Sequence, residues 1–210
     1  MNVELRVAVL AVACLATLSS GQRADAVVID FELMGRAGIG LIPLNEVGAN
    51  VPILPGDSSA SGGETGGGFF YDTDTNVLNF EFSFSGLSGG LFNAGSGIHL
   101  HLATPGTDPF NETGGIVFNL NSGTDTNVTL TTPTIAIGST AGNVAGTASF
   151  TDEQEVDLFA GRYYVNIHSD QFRGGELRAN VTAVPEPSTL SVLGILGTVA
   201  AYRRHRKVKA

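Results

Sequence analysis

Ile98-His99-Leu100-His101-Leu102 places two imidazoles two residues apart within a run of strand-forming residues. In a strand, residues i and i+2 face the same way, so His99 and His101 share one side while Ile98, Leu100 and Leu102 take the other. A third imidazole, His168, closes a second run of this kind, Tyr163-Tyr164-Val165-Asn166-Ile167-His168. Neutral imidazole suits Zn and Cu, and three rings brought together from neighbouring strands make a ligand set. The same rings also serve a purely structural purpose. Hydrogen-bonded to each other, to Asn166 or to backbone, they stitch two strands together, which is the more ordinary use of such residues. The sequence leaves both uses open.

Two further patterns resemble catalytic or ligand-binding motifs. Gly86-Leu87-Ser88-Gly89-Gly90 has the outline of a nucleophile elbow, but that chemistry needs a strand, a strained turn and then a helix. Residues 91–97 contain two glycines and no helical period, so a strand-end turn is expected instead. Asp72-x-Asp74-x-Asn76 supplies the first three ligand positions of an EF-hand loop. Val77 stands where the loop needs glycine and Ser83 where it needs glutamate, which excludes the EF-hand and leaves a lone Ca²⁺ at an acidic turn as an alternative to a hairpin. No glycine cluster is followed by Lys-Ser/Thr, so no phosphate loop is present. These residues supply no catalytic set; the expectation is a protein that is not an enzyme and holds no organic cofactor.

The elements that must position the histidines are strands. Leu78, Phe80, Phe82 and Phe84 alternate with Asn79, Glu81, Ser83 and Ser85, the period of a half-buried strand with its aromatics inward. Runs of strand length also cover 27–33, 67–71, 98–102, 115–120, 127–130, 144–150, 163–168 and 176–182, separated by Gly, Asn, Asp and Thr clusters. One helix is expected near 151–160. Thr151-Asp152-Glu153-Gln154 is a capping box, Val156, Phe159 and Ala160 form the apolar stripe, and Gly161 ends it. Many short antiparallel strands with one short helix predict an all-β sandwich. The course of 41–64 is not predicted.

Composition narrows the function classes. With one cysteine among 210 residues a disulfide scaffold is excluded, and 42% hydrophobic residues argue against disorder. The net charge of −9 disfavours nucleic acid as a partner. That charge is unevenly placed. Residues 27–186 hold eighteen acids against four arginines, a balance of −14, whereas five of the eleven basic residues lie in the last eight positions.

Both ends carry the marks of addresses. Arg6 precedes an apolar run over 7–18, and the small-x-small triplet Ala24-Asp25-Ala26 follows. Residues 1–26 are therefore expected to be a signal peptide cut by signal peptidase after Ala26, with Cys14 inside the part removed. At the other end, Pro185-Glu186-Pro187 precedes an apolar stretch and then Arg203-Arg204-His205-Arg206-Lys207. As a helix, 188–202 spans about 22 Å, short of the roughly 30 Å hydrocarbon core; snorkelling Arg and Lys extend its reach and keep the basic end cytoplasmic. The order of motif, span and basic cluster resembles the PEP-CTERM sorting signal. That resemblance implies recognition of Pro185, Glu186 and Pro187 by an exosortase, transient anchoring in the inner membrane by one hydrophobic helix, with Arg203, Arg204, Arg206 and Lys207 as its cytoplasmic clamp, and delivery to the cell envelope, the cell surface or an extracellular matrix.

The body, 27–183, resembles the CHRD domain first described in chordin. The matching residues are Ser85-Gly86-Leu87-Ser88-Gly89, Ile98-His99-Leu100-His101, Gly114-Gly115-Ile116-Val117-Phe118, Phe150-Thr151 with Gln154, Leu158-Phe159-Ala160-Gly161, Tyr163 to Ser169, and Gly174-Gly175-Glu176-Leu177-Arg178. Val51-Pro52-Ile53 stands where the family usually has a Pro-Pro segment. The resemblance implies an immunoglobulin-like β-sandwich and leaves the activity undefined. The His-x-His pair is also similar to that of copper–zinc superoxide dismutases, although too few histidines remain for their two-metal site. The expectation is an exported bacterial binding or structural module, with an extracellular polysaccharide or a surface protein as partner. The alternative is a Zn or Cu protein, or a metalloenzyme, centred on His99, His101 and His168.

Overall fold

The computed structural model describes residues 27–44, 52–92, 97–106, 108 and 110–185. The signal-peptide residues Ala24 and Ala26, the motif residues Glu186 and Pro187, the span 188–202 and the basic cluster Arg203, Arg204, Arg206 and Lys207 lie outside them. Among the described residues no helix is long and apolar enough to cross a membrane.

The strands are β1 (Val28–Gly35), β2 (Gly38–Ile39), β3 (Ile42–Pro43), β4 (Ser61–Asp72), β5 (Val77–Ser85), β6 (Ile98–Leu102), β7 (Ile116–Asn119), β8 (Val128–Leu130), β9 (Gly142–Ser149), β10 (Tyr163–Ile167) and β11 (Leu177–Ala183), with α1 (Asp152–Phe159) between β9 and β10. They form one hydrogen-bonded sheet in the order β7-β6-β10-β11-β1-β4-β5-β9-β8, with β2 added to β1 and β3 to β11. The described pairings are antiparallel. Right-handed twist curls a sheet of this width, so its two halves face each other across one core, the sandwich expected from sequence. Phe118 beside one edge and Phe150 beside the other meet with ring centroids 4.9 Å apart, so the sheet nearly closes.

The alternation in β5 sets that core. Leu78, Phe80, Phe82 and Phe84 are buried while their neighbours are half-exposed. Across the fold they meet Leu33, Phe69, Leu100, Val144, Val165, Leu177 and Val181 in one apolar cluster.

β4 is longer than its apolar residues suggested, because the glycine-containing 61–64 also pairs with β5. The register shifts between Glu64 and Phe69, where Gly66 and Gly68 take positive φ. Glycine permits this bulge, and its low strand propensity hid the strand. The segment after β1, whose course was not predicted, continues the sheet through β2, β3 and a bridge between Leu41 and Gly62.

The helix has its capping box, with Thr151 Oγ1 accepting from Gln154 N and Gln154 Oε1 from Thr151 N. Its buried face differs from the predicted stripe. Leu158 is the buried residue, Val156 is 68% exposed, and Ala160 is exposed. Phe159 keeps one side in solvent, with its ring tilted against Phe31 and edge-on to Tyr71. Two turns of helix meet the sheet through about one position, too few to bury a full stripe.

Candidate metal centre

The two strands that carry the histidines are neighbours. β6 and β10 pair with His99 opposite Asn166 and His101 opposite Tyr164. His168 follows directly after β10, and its N–H donates to Gly97 O at 2.8 Å, which holds it beside the start of β6. All three rings therefore lie on one face of the sheet, with centroids 5.0 Å apart for His99 and His168, 5.5 Å for His99 and His101, and 6.1 Å for His101 and His168. One ligand nitrogen from each lies within 4.8 Å of the other two. The nitrogens around a tetrahedral Zn stand about 3.3 Å apart, so the set must tighten by up to roughly 1.5 Å to grip an ion.

Protonation is arranged for that task. His101 Nδ1 lies 3.0 Å from Gly114 O and His168 Nδ1 lies 2.9 Å from Arg173 O. A carbonyl only accepts, so each Nδ1 carries the proton and each lone pair is on Nε2. A carbonyl behind a ligand imidazole fixes its tautomer and tilt in this way. His99 Nδ1 is buried and makes no hydrogen bond among the described residues. Burial, followed by the neighbouring His168 and His101, lowers the His99 pKa to about 3. The ring is thus neutral at ordinary pH, the form that binds metal.

The same face carries a second row. Tyr164 stacks on His101 at 4.9 Å, its hydroxyl accepts from Gly114 N at 3.2 Å, and the Arg178 guanidinium lies 3.6 Å from the Tyr164 ring centre. Arg178 Nη2 donates to Glu112 O at 2.6 Å. Asn166, Arg178 and Asn180 are buried, as are the histidines. The loops around Glu112, Gly114 and Arg173 lie over this face, so the sheet is covered on both sides at β6, β10 and β11. The sequence pointed to Asn166 as a hydrogen-bond partner of the histidines and gave Arg178 and Asn180 no part in the site. The signal available was a long buried-type strand in which every outward residue is also able to make several hydrogen bonds.

The other candidates fall elsewhere. Ser88 sits at a turn, with Gly89 and Gly90 at positive φ and a bridge rather than a helix at Leu91. Its Oγ donates to Glu176 Oε1 at 2.7 Å. Asp72 Oδ1 accepts from the N–H groups of Asp74 and Thr75, and Asn76 adopts φ 55, the geometry of a hairpin turn. Asn76 Nδ2 donates to Asp152, and its Oδ1 accepts from the Tyr71 hydroxyl. Pro185 is the one residue of the sorting motif within the described residues.

Comparison with known families decides the assignment. The CHRD domain matches residues 43–181, two thirds of the chain. The chain belongs to the CHRD domain family. The PEP-CTERM protein-sorting motif matches residues 183–207, directly after the CHRD domain. The CHRD protein is thus exported, sorted by an exosortase and directed to the cell surface or beyond it. No curated protein and no solved structure matches it. In this CHRD fold, β1 lies ahead of the matched region yet pairs with both β11 and β4, so it is integral to the sheet.

Proposed function

We propose that this CHRD protein is a non-catalytic module at the cell surface or in the extracellular matrix, and that it binds Zn or Cu there through His99, His101 and His168. The observation that carries the reading is the convergence of three ligand nitrogens within 4.8 Å on one buried face. Carbonyls behind His101 and His168 direct their lone pairs to Nε2, and burial keeps His99 neutral. Chance clustering of polar side chains does not supply this second set of contacts, and buried polar groups ordinarily have partners. Elemental analysis of the purified protein tests it. One equivalent of Zn or Cu in the wild type, absent from a His99→Ala/His101→Ala variant, supports the reading; equal metal content in both sinks it.

A second binding surface is favoured by a groove on the outer side of β4, β5 and β9, lined by Phe70, Asn79, Glu81, Thr131 and Thr147. A half-exposed aromatic ring among hydrogen-bonding side chains suits a sugar ring. The −14 balance of residues 27–186 repels polyanions, so a neutral polysaccharide is the partner of choice. Calorimetry with a neutral glucan and the Phe70→Ala variant tests this surface, and equal heats in both proteins would remove it. Such a partner would keep the displayed module within the matrix.

A further inference from the structure

Two features of the three-histidine face have no use in binding a metal by imidazole alone. The first is charge. Three neutral imidazoles leave a divalent ion with its full charge, and no Asp or Glu joins the group among the described residues. A buried ion that keeps its full charge requires a counter-charge.

The second feature is Asn166. It lies opposite His99 on one side and Arg178 on the other, on the face they share. It is fully buried, and neither Oδ1 nor Nδ2 makes a hydrogen bond among the described residues. A buried amide with both ends unspent is rare, because neither atom recovers what it lost on leaving water. The backbone also makes room for it. A Cβ on Gly175 would stand 2.3 Å from Asn166 Oδ1 and 2.7 Å from Nδ2, and Gly175 takes φ +100. Three protein ligands leave one position of a four-coordinate ion open.

We propose that a metal held by His99, His101 and His168 takes a small exogenous anion as its fourth ligand, and that the Asn166 amide donates a hydrogen bond to that anion. The inference rests on the metal reading above and adds the ligand class. The anion offsets the charge of the ion and satisfies Nδ2. His168, the most exposed of the three rings at 9%, marks the side from which a small ion enters.

The test is azide titration of the copper-loaded full-length protein, read by the azide-to-copper charge-transfer absorption. Saturable absorption is expected in the wild type. Asn166→Leu should keep one copper and bind azide about tenfold more weakly or worse, the loss of one charge-assisted hydrogen bond. Asn166→Asp gives a second readout, since its carboxylate supplies the missing charge from within: copper should bind more tightly and azide not at all. A wild-type spectrum indifferent to azide with copper bound would overturn the proposal and leave the metal reading standing. Unchanged azide affinity in both variants would overturn it as well. Failure of the wild type to take up copper or zinc would remove both readings together.

Discussion

The Glu176 carboxylate accepts two hydrogen bonds from Ser88, from its N–H to Oε2 at 2.9 Å and from its hydroxyl to Oε1 at 2.7 Å. Ser58 Oγ adds a third donor to Oε1 at 2.6 Å. Glu176 is fully buried, and these donors replace the water its carboxylate has lost. The result is a latch. It ties the segment before β4 and the turn after β5 to the entry of β11, and it explains why the serine of an elbow-like motif is structural.

That latch predicts a large effect from a small change. Glu176→Gln keeps the shape but replaces one acceptor oxygen with a donor, which then faces an N–H or a hydroxyl. The expected loss is about 2 kcal/mol of unfolding free energy, and Ser88→Ala should lose about 1 kcal/mol. Urea denaturation measures both. A neutral Glu176→Gln would show that the carboxylate is not a stabilising acceptor.

Metal binding to the folded state should raise thermal stability by mass action. At a hundredfold excess of free Zn over its Kd the gain is about 2.7 kcal/mol, equivalent to several degrees in Tm. A chelator should reverse it, and the His99→Ala/His101→Ala variant should show no response. Equal shifts in wild type and variant would place the metal at another site.

Alkaline pH should destabilise the protein in part through Tyr71. Burial, followed by Glu155, Asp152 and Asp72, raises its pKa to about 12 from 10. The folded state holds the proton more tightly than the unfolded chain, so the stabilisation is complete below pH 10 and disappears as pH rises from 10 to 12. Tyr71→Phe should flatten this part of the stability profile. An unchanged slope would assign the alkaline transition to other groups.

Sorting should depend on the tail alone. Removing residues 185–210 deletes most of the PEP-CTERM match and leaves β11 whole. The truncated protein is expected to fold, and to be released or found in a different cell fraction. Fractionation with an antibody to the CHRD domain measures this. Identical distribution of the two forms would mean that the tail does not direct sorting.

Much of the fold was legible because its signals are local. Alternation in β5, the capping box at Thr151, and the run from Ile98 to Leu102 each depend on residues a few positions apart, and each element formed where its pattern lies. The glycine-rich half of β4 was not legible, since its strand is imposed by β5 on one side and the Leu41 bridge on the other rather than by its own side chains. The stripe on α1 misled for a related reason. Which helical positions are buried depends on the angle at which two turns meet the sheet.

The candidate site divides along the same line. His99 and His101 share a face by the geometry of any strand, so the sequence determined their pairing without help. That His168 joins them was decided by the pairing of β10 with β6, a contact between segments more than sixty residues apart. The burial of Asn166 and Arg178 was likewise decided by loops closing over the outer face. A period of two tells which residues lie together and cannot tell which side faces water. The addresses at the ends and the charge on the body are one-dimensional properties, written in order along the chain. A ligand set is three-dimensional, and it exists only after the sheet has brought distant strands side by side.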